Sequence, residues 1–225
     1  MPETHRVPLF PLGVVLLPGM ALPLHIFEER YKLMISECIE TDRPFGLVLF
    51  DGQSLHTVGC MARVTAVIER YDDGRMDIMT VGEQRFLIQK AINEKAYMEA
   101  YVSFFEDVEA SSDDELRPLV ENAMNLLVEL SGSDQQNKEI DPAARSHPWQ
   151  LSFAIPALES FTAKERQRFL EMTSTAKRLE KGVQALARII ERARLTDEIA
   201  AIIGGNGSPP KQLIDLLSSK DAGQQ

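Results

Sequence analysis

The chain has 225 residues, 44% hydrophobic and 26% charged, enough apolar side chains for the core of one large domain or two small ones. A net charge of −10 argues against tight nucleic-acid binding, which needs Lys and Arg to replace counterions on the phosphates. Two cysteines imply no disulfide framework and point to a reducing, cytoplasmic setting, while Cys38, Cys60, His5, His25, His56 and His147 are too scattered for a structural zinc.

The first stretch, RVPLFPLGVVLLPGMALPLHIF, has no formally charged side chain from Val7 to Phe27 and is long enough to cross a bilayer. Pro8, Pro11, Pro18 and Pro23 argue against a spanning helix, since each interior proline costs about 3 kcal/mol. The apolar centre from Leu12 to Leu17 is too short for a signal peptide. Short apolar pieces separated by Pro and Gly read as buried strands joined by turns, with Val7 to Leu24 in paired strands.

Next, Phe27, Tyr31, Met34, Ile35 and Cys38 recur at helical spacing and predict an apolar helix face, on which Cys38 packs as a small hydrophobe. DRPF ends that helix and GLVLFDG reads as a short buried strand. The Asp73-Gly74 pair between two β-branched runs predicts a hairpin. Val64, Ala66 and Ile68 alternate with polar residues and predict one apolar face, while Val67 breaks the pattern and predicts that the other face is partly covered too. Gly82 marks a turn or bulge, and YMEAYVSFFED supplies a further strand. Arg85 and Glu28 are a candidate structural ion pair.

Beyond Glu109 the period becomes helical. Leu116, Leu119, Val120, Ala123, Leu126, Leu127 and Leu130 line one helix that ends at Gly132. A polar loop from Ser131 to His147 follows, then a short helix with Pro148 in its first turn, Trp149 as its core anchor and Pro156 as a disturbance. Thr162 and Glu165 form a capping box, and a long helix places Leu179, Val183, Leu186, Ile190 and Ala193 on one face. GGNGSPP is a flexible break before an amphipathic tail, KQLIDLLSS. Residues 108 to 161 hold ten acids and three bases, whereas 162 to 195 hold nine bases and four acids, which predicts helices docking through complementary faces. The layout is α+β: a β-rich part over 1–109, a helical part over 110–200 and a tail over 201–225.

Enzyme signatures are missing from the sequence. It has no Gly-Lys dipeptide for a Walker A loop, and no GxGxxG, HExxH or GxSxG. His25, in an apolar strand-like stretch, reads as a hydrogen-bonded core or edge histidine.

PLFPLGVVLLPGMALPLHIFEERYKLMI, and within it Leu24 to Tyr31, resembles the opening of the Lon protease amino-terminal domain and its stand-alone bacterial forms. Gly59, the Asp73-Gly74 turn, Gly82 and the Arg85-Phe86 pair match the same family in order, and FLEMTSTAKRLEKGVQAL resembles the stretch that closes the domain. The resemblance implies a PUA-like β-barrel followed by a C-terminal helical bundle, and a role in holding polypeptide substrates. Lon's ATPase and Ser-Lys peptidase modules have no match in this sequence, so the expectation is a non-enzymatic binding module without cofactor or metal. Its partners would be polypeptide clients or a protease or chaperone. RNA binding is the alternative, because the PUA fold is best known there, and a hydrolase built from loops is a third. A shallow apolar groove is expected on the β-rich half, lined by Met20, Leu22, Pro23, His25 and Phe27 together with the hairpin.

Overall fold

In the computed structural model, residues 3–108, 112–133 and 147–204 are described. Six strands come first, interrupted by one helix: β1 (His5–Leu12), β2 (Ala21–Ile26), α1 (Glu29–Glu40), β3 (Phe45–Phe50), β4 (Leu55–Arg70), β5 (Met76–Ile92) and β6 (Glu99–Phe104). Among the described residues four helices follow: α2 (Asp113–Ser133), α3 (Pro148–Ala157), α4 (Ala163–Glu171) and α5 (Thr175–Gly204). The sheet order is β2-β5-β4-β3-β1-β6, and β6 also pairs with β5. Hydrogen-bonded pairing therefore runs from β5 through β4, β3, β1 and β6 back to β5, with β2 attached outside that circuit.

The prolines of β1 fit because the strand changes partner midway. Residues His5 to Pro8 pair with β6, while Leu9 to Leu12 pair with β3. Each half thus leaves one side free of partners among the described strands, where a missing N–H breaks no ladder. No described helix is long and apolar enough to cross a membrane.

Helix α1 buries Tyr31, Met34, Ile35 and Cys38 as expected. Phe27 departs from the expectation: it precedes the helix and is 60% exposed. The apolar face expected of Val64, Ala66 and Ile68 holds only at Val64. β4 shifts register against β5 between Val64 and Ala66 and again between Val67 and Glu69. These irregularities turn Val64 and Val67 onto the core and leave Ala66 and Ile68 exposed. The Asp73-Gly74 turn is present, with Gly74 at φ 81°.

Three clusters make the interior among the described residues. Tyr31, Met34, Ile35 and Cys38 of α1 pack against Phe45, Leu47, Cys60 and Ile78 of the sheet, and Phe153 of α3 and Leu170 of α4 enter the same cluster. Val7, Leu9, Val48, Met61, Phe86 and Val102 fill a second. The third joins α2, α3 and α5 through Leu127, Leu130, Leu151, Ile155, Leu179 and Leu186. Glu129 of α2 bonds Arg194 of α5, one realised pair of the complementary charges. The Thr162–Glu165 capping box opens α4, with both reciprocal bonds formed. Most of the polar loop after Ser131, and the break and tail after Gly204, lie outside the described residues.

Candidate functional site

A cleft of about 880 Å³ lies between β5, the turn that precedes β2, and α3. Ligand sites usually enclose about 300–1,000 Å³. Met20, Phe105, Trp149, Phe153, Ala154 and Ala157 supply its apolar lining. The turn is laid flat on β5 by paired backbone bonds: the Gly19 N–H donates to the Gly82 carbonyl at 2.8 Å and the Gly82 N–H to the Met20 carbonyl at 2.9 Å. Gly82 is required there, because a Cβ would stand 2.1 Å from the Leu17 carbonyl oxygen. Gly19 takes φ 78°, the left-handed region that favours glycine.

Beneath the cleft sits a buried charge cluster. Arg85 is 2% exposed and Arg178 is completely buried. Arg178 donates through Nη1 and Nη2 to both oxygens of Asp107 at 2.7 and 2.6 Å, and Arg85 Nη2 donates to Asp107 Oδ1 at 2.7 Å. Thr175 Oγ1 donates to Asp107 Oδ2, and Arg178 Nε to Ser152 Oγ. Arg85 Nη1 reaches the carbonyls of Leu170 and Met172. The guanidiniums also stack on rings, Arg85 over Phe105 at 4.6 Å and Arg178 over Phe153 at 4.2 Å. β5, α3, α4, α5 and the segment after β6 all meet here. The expected Arg85–Glu28 pair is not formed; Glu28 pairs with Arg30, two residues on.

The structure separates the five residues singled out in the sequence. Met20 lines the cleft, whereas Leu22, Pro23, His25 and Phe27 do not. Leu22 is half-buried and packs on the core behind β2. Pro23 and His25 face outward on that strand, which pairs only with β5 among the described strands. Pro23 offers no N–H and blunts the open edge. His25 Nδ1 lies 2.6 Å from Asp77 Oδ1, and the Tyr71 hydroxyl donates to Asp77 Oδ2 at 2.7 Å. These two bonds, His25 first, hold the Asp77 carboxyl below its usual range, and Asp77 pushes Tyr71 up to about 12. Phe27 stacks near His25 at a centroid distance of 6.0 Å.

Trp149 corrects another expectation. It is 41% exposed and lies edge-on to Phe153 in the cleft wall, while Leu151, Phe153 and Ile155 anchor α3. Phe105, Asp107 and Phe153 carried no motif, and Arg178 was not singled out within FLEMTSTAKRLEKGVQAL. The run FFED directly after a strand was the one signal available for the first two. Burial pushes the Cys38 thiol up to about 11 and Cys60 to about 12, so neither is a ready nucleophile.

A mixed α/β domain with an apolar cleft between its sheet and a helix has the form of a binding module. The chain belongs to the family described as the ATP-dependent protease La (LON) substrate-binding domain, whose family model matches residues 6–188. It is 24% identical over 218 residues to Lon protease 2 of Myxococcus xanthus, covering 90% of this chain and 26% of that protein. It is 25% identical over 217 residues to Lon protease of Anaeromyxobacter dehalogenans, covering 90% and 25%. The chain thus spans about a quarter of the length of these relatives. Among solved structures, a Lon N-terminal domain protein from Xanthomonas campestris matches with TM-score 0.62 and 26% identity, over 79% of this chain and 96% of that one. The N-terminal domain of a Mycobacterium avium complex Lon protease shares the fold, with TM-score 0.65 and 20% identity over 81% and 98%.

Proposed function

We propose that the chain is a non-enzymatic module that binds exposed apolar or unfolded polypeptide in the cleft between β5 and α3 and presents it to a protease or chaperone in the cytoplasm. The observation that carries this reading is the apolar lining of Met20, Phe105, Trp149 and Phe153 on a cleft of about 880 Å³. The substrate-binding family of the chain supports it. In the same reading, the pairing circuit from β5 back to β5 is a PUA-like barrel over residues 1–109, and the helices over 110–200 form a bundle whose α3 closes the cleft. A few hundred Å² of apolar contact at about 25 cal/mol per Å² leaves a net affinity in the micromolar to millimolar range, roughly −8 to −4 kcal/mol, once association entropy is subtracted.

Two substitutions separate binding from folding. Met20→Asp puts a charge on the cleft wall, at a side chain that is also half-buried against the core. In variant protein shown to be folded by circular dichroism, it should weaken binding of a fluorescein-labelled, carboxymethylated unfolded protein at least tenfold. Leu22→Asp drives a charge onto the core behind β2 and should cost about 2–5 kcal/mol of stability. A folded Met20→Asp variant that binds as tightly as the parent would overturn the cleft as the client site.

A further inference from the structure

The charge cluster under the cleft does not balance. Two buried guanidiniums, Arg85 and Arg178, share the one carboxylate of Asp107. Glu83 also lines the cleft, but its carboxylate is held by Arg63. Glu106 lines the cleft too and makes no ion pair among the described residues. Among the buried groups one positive charge is therefore unmatched, which is costly in a low-dielectric setting, while the exposed Glu106 on the cleft wall offsets it only in the local sum.

The donors are also unequally spent. Arg178 uses Nε, Nη1 and Nη2 on Ser152, Asp107, Met172 and Thr175. Arg85 commits Nη1 and Nη2, but its Nε makes no hydrogen bond among the described residues. Arg85 is itself part of the cleft lining although 98% of it is covered, and its Nε is not among the fully buried atoms that lack a partner, so the unspent donor keeps access to solvent space. An unpaired guanidinium N–H on a largely covered side chain is well matched by an anionic oxygen acceptor. Phe105 and Phe153 flank the same guanidinium at 4.6 and 5.2 Å and offer apolar contact beside it.

Resting on the polypeptide-binding reading above, we propose that the cleft captures clients by a free C-terminus. The terminal carboxylate pairs with Arg85 and neutralises the surplus charge, and the last one or two apolar side chains lie among Met20, Phe105, Trp149 and Phe153. A fatty acid carries related chemistry but lacks the amide groups that would meet Gln84 and Gln150 on the cleft wall, and the proposal commits to polypeptide.

Trp149 is the only tryptophan in the chain and lines the cleft, so its fluorescence reports occupancy directly. The intact protein is titrated with a Trp-free heptapeptide ending in Leu-Leu as the free acid, with the same peptide as the C-terminal amide, and with decanoate. The free acid should shift Trp149 emission and bind at least tenfold more tightly than the amide and than decanoate. Equal affinity of acid and amide overturns the carboxylate pairing and leaves the cleft standing as a polypeptide site. Decanoate binding as tightly as the free acid overturns the choice of a polypeptide terminus. If neither peptide perturbs Trp149 and Met20→Asp leaves unfolded-client binding unchanged, both readings fall.

Discussion

Asp107→Ala is expected to destabilise the protein by about 3–5 kcal/mol, because removing one partner of a buried ion cluster leaves the other charges unpaired. Here two guanidiniums lose the carboxylate they share, and Thr175 loses its acceptor. The acid dependence of stability should change with it. Burial pushes the Asp107 carboxyl up, but hydrogen bonds from Arg178 and Thr175 and the charges of both arginines outweigh that and hold it below its ordinary value of 3.8. A carboxyl whose folded value is depressed contributes stability that is complete above the unfolded value and disappears as pH falls through the folded one. The parent should therefore lose this contribution below about pH 4, and the variant, already without it, should show a shallower acid limb. Urea unfolding at neutral pH and at steps down to pH 3 measures both effects. A loss under 1 kcal/mol with an unchanged acid limb would show that the cluster is not what joins sheet and helices.

Gly82→Ala should be the second severe change. Its Cβ would meet the Leu17 carbonyl oxygen at 2.1 Å and the Leu16 Cγ at 3.1 Å, and the Leu16–Met20 turn is pinned to β5 at this residue by two backbone bonds. Moving the turn loses those bonds, about 0.5–1.5 kcal/mol each. It also strains the packing of Leu16 and Leu17, both buried, by about 1–3 kcal/mol. The combined loss should be roughly 2–6 kcal/mol, and client binding should weaken because Met20 moves with the turn. Gly13→Ala is the control: a Cβ there meets nothing within 4 Å, so its effect should stay within about 0.5 kcal/mol. Equal stability of the two variants in denaturant unfolding would contradict the close approach.

Local signals in the sequence led directly to local structure. The step from alternating to helical period at Tyr31, the Asp73-Gly74 turn and the Thr162–Glu165 box each depend on residues a few positions apart, and each is present. Strand faces were less legible. An alternation through Val64, Ala66 and Ile68 assumes unbroken register, and two irregularities in the β4–β5 ladder reassign the exposed side. The site was legible only in part. Met20 was reachable because the apolar turn is contiguous in sequence with the strands around it. Asp107 and Arg178 are 71 residues apart, and no spacing rule links an acid after a strand to an arginine early in a distant helix. Trp149 misled for a related reason. A tryptophan on an apolar helix reads as core, but Leu151, Phe153 and Ile155 already fill the interior side of α3.

Hydrogen–deuterium exchange of the intact chain, with and without a saturating unfolded client, tests the central claim most directly. The account predicts added protection in peptides covering Pro18 to Met20, Gly82 to Arg85, Phe105 to Asp107 and Trp149 to Ala157, the segments that line the cleft. Protection confined to β2 around Pro23 and His25, or to α2 and α5, with the cleft segments unchanged, would contradict it.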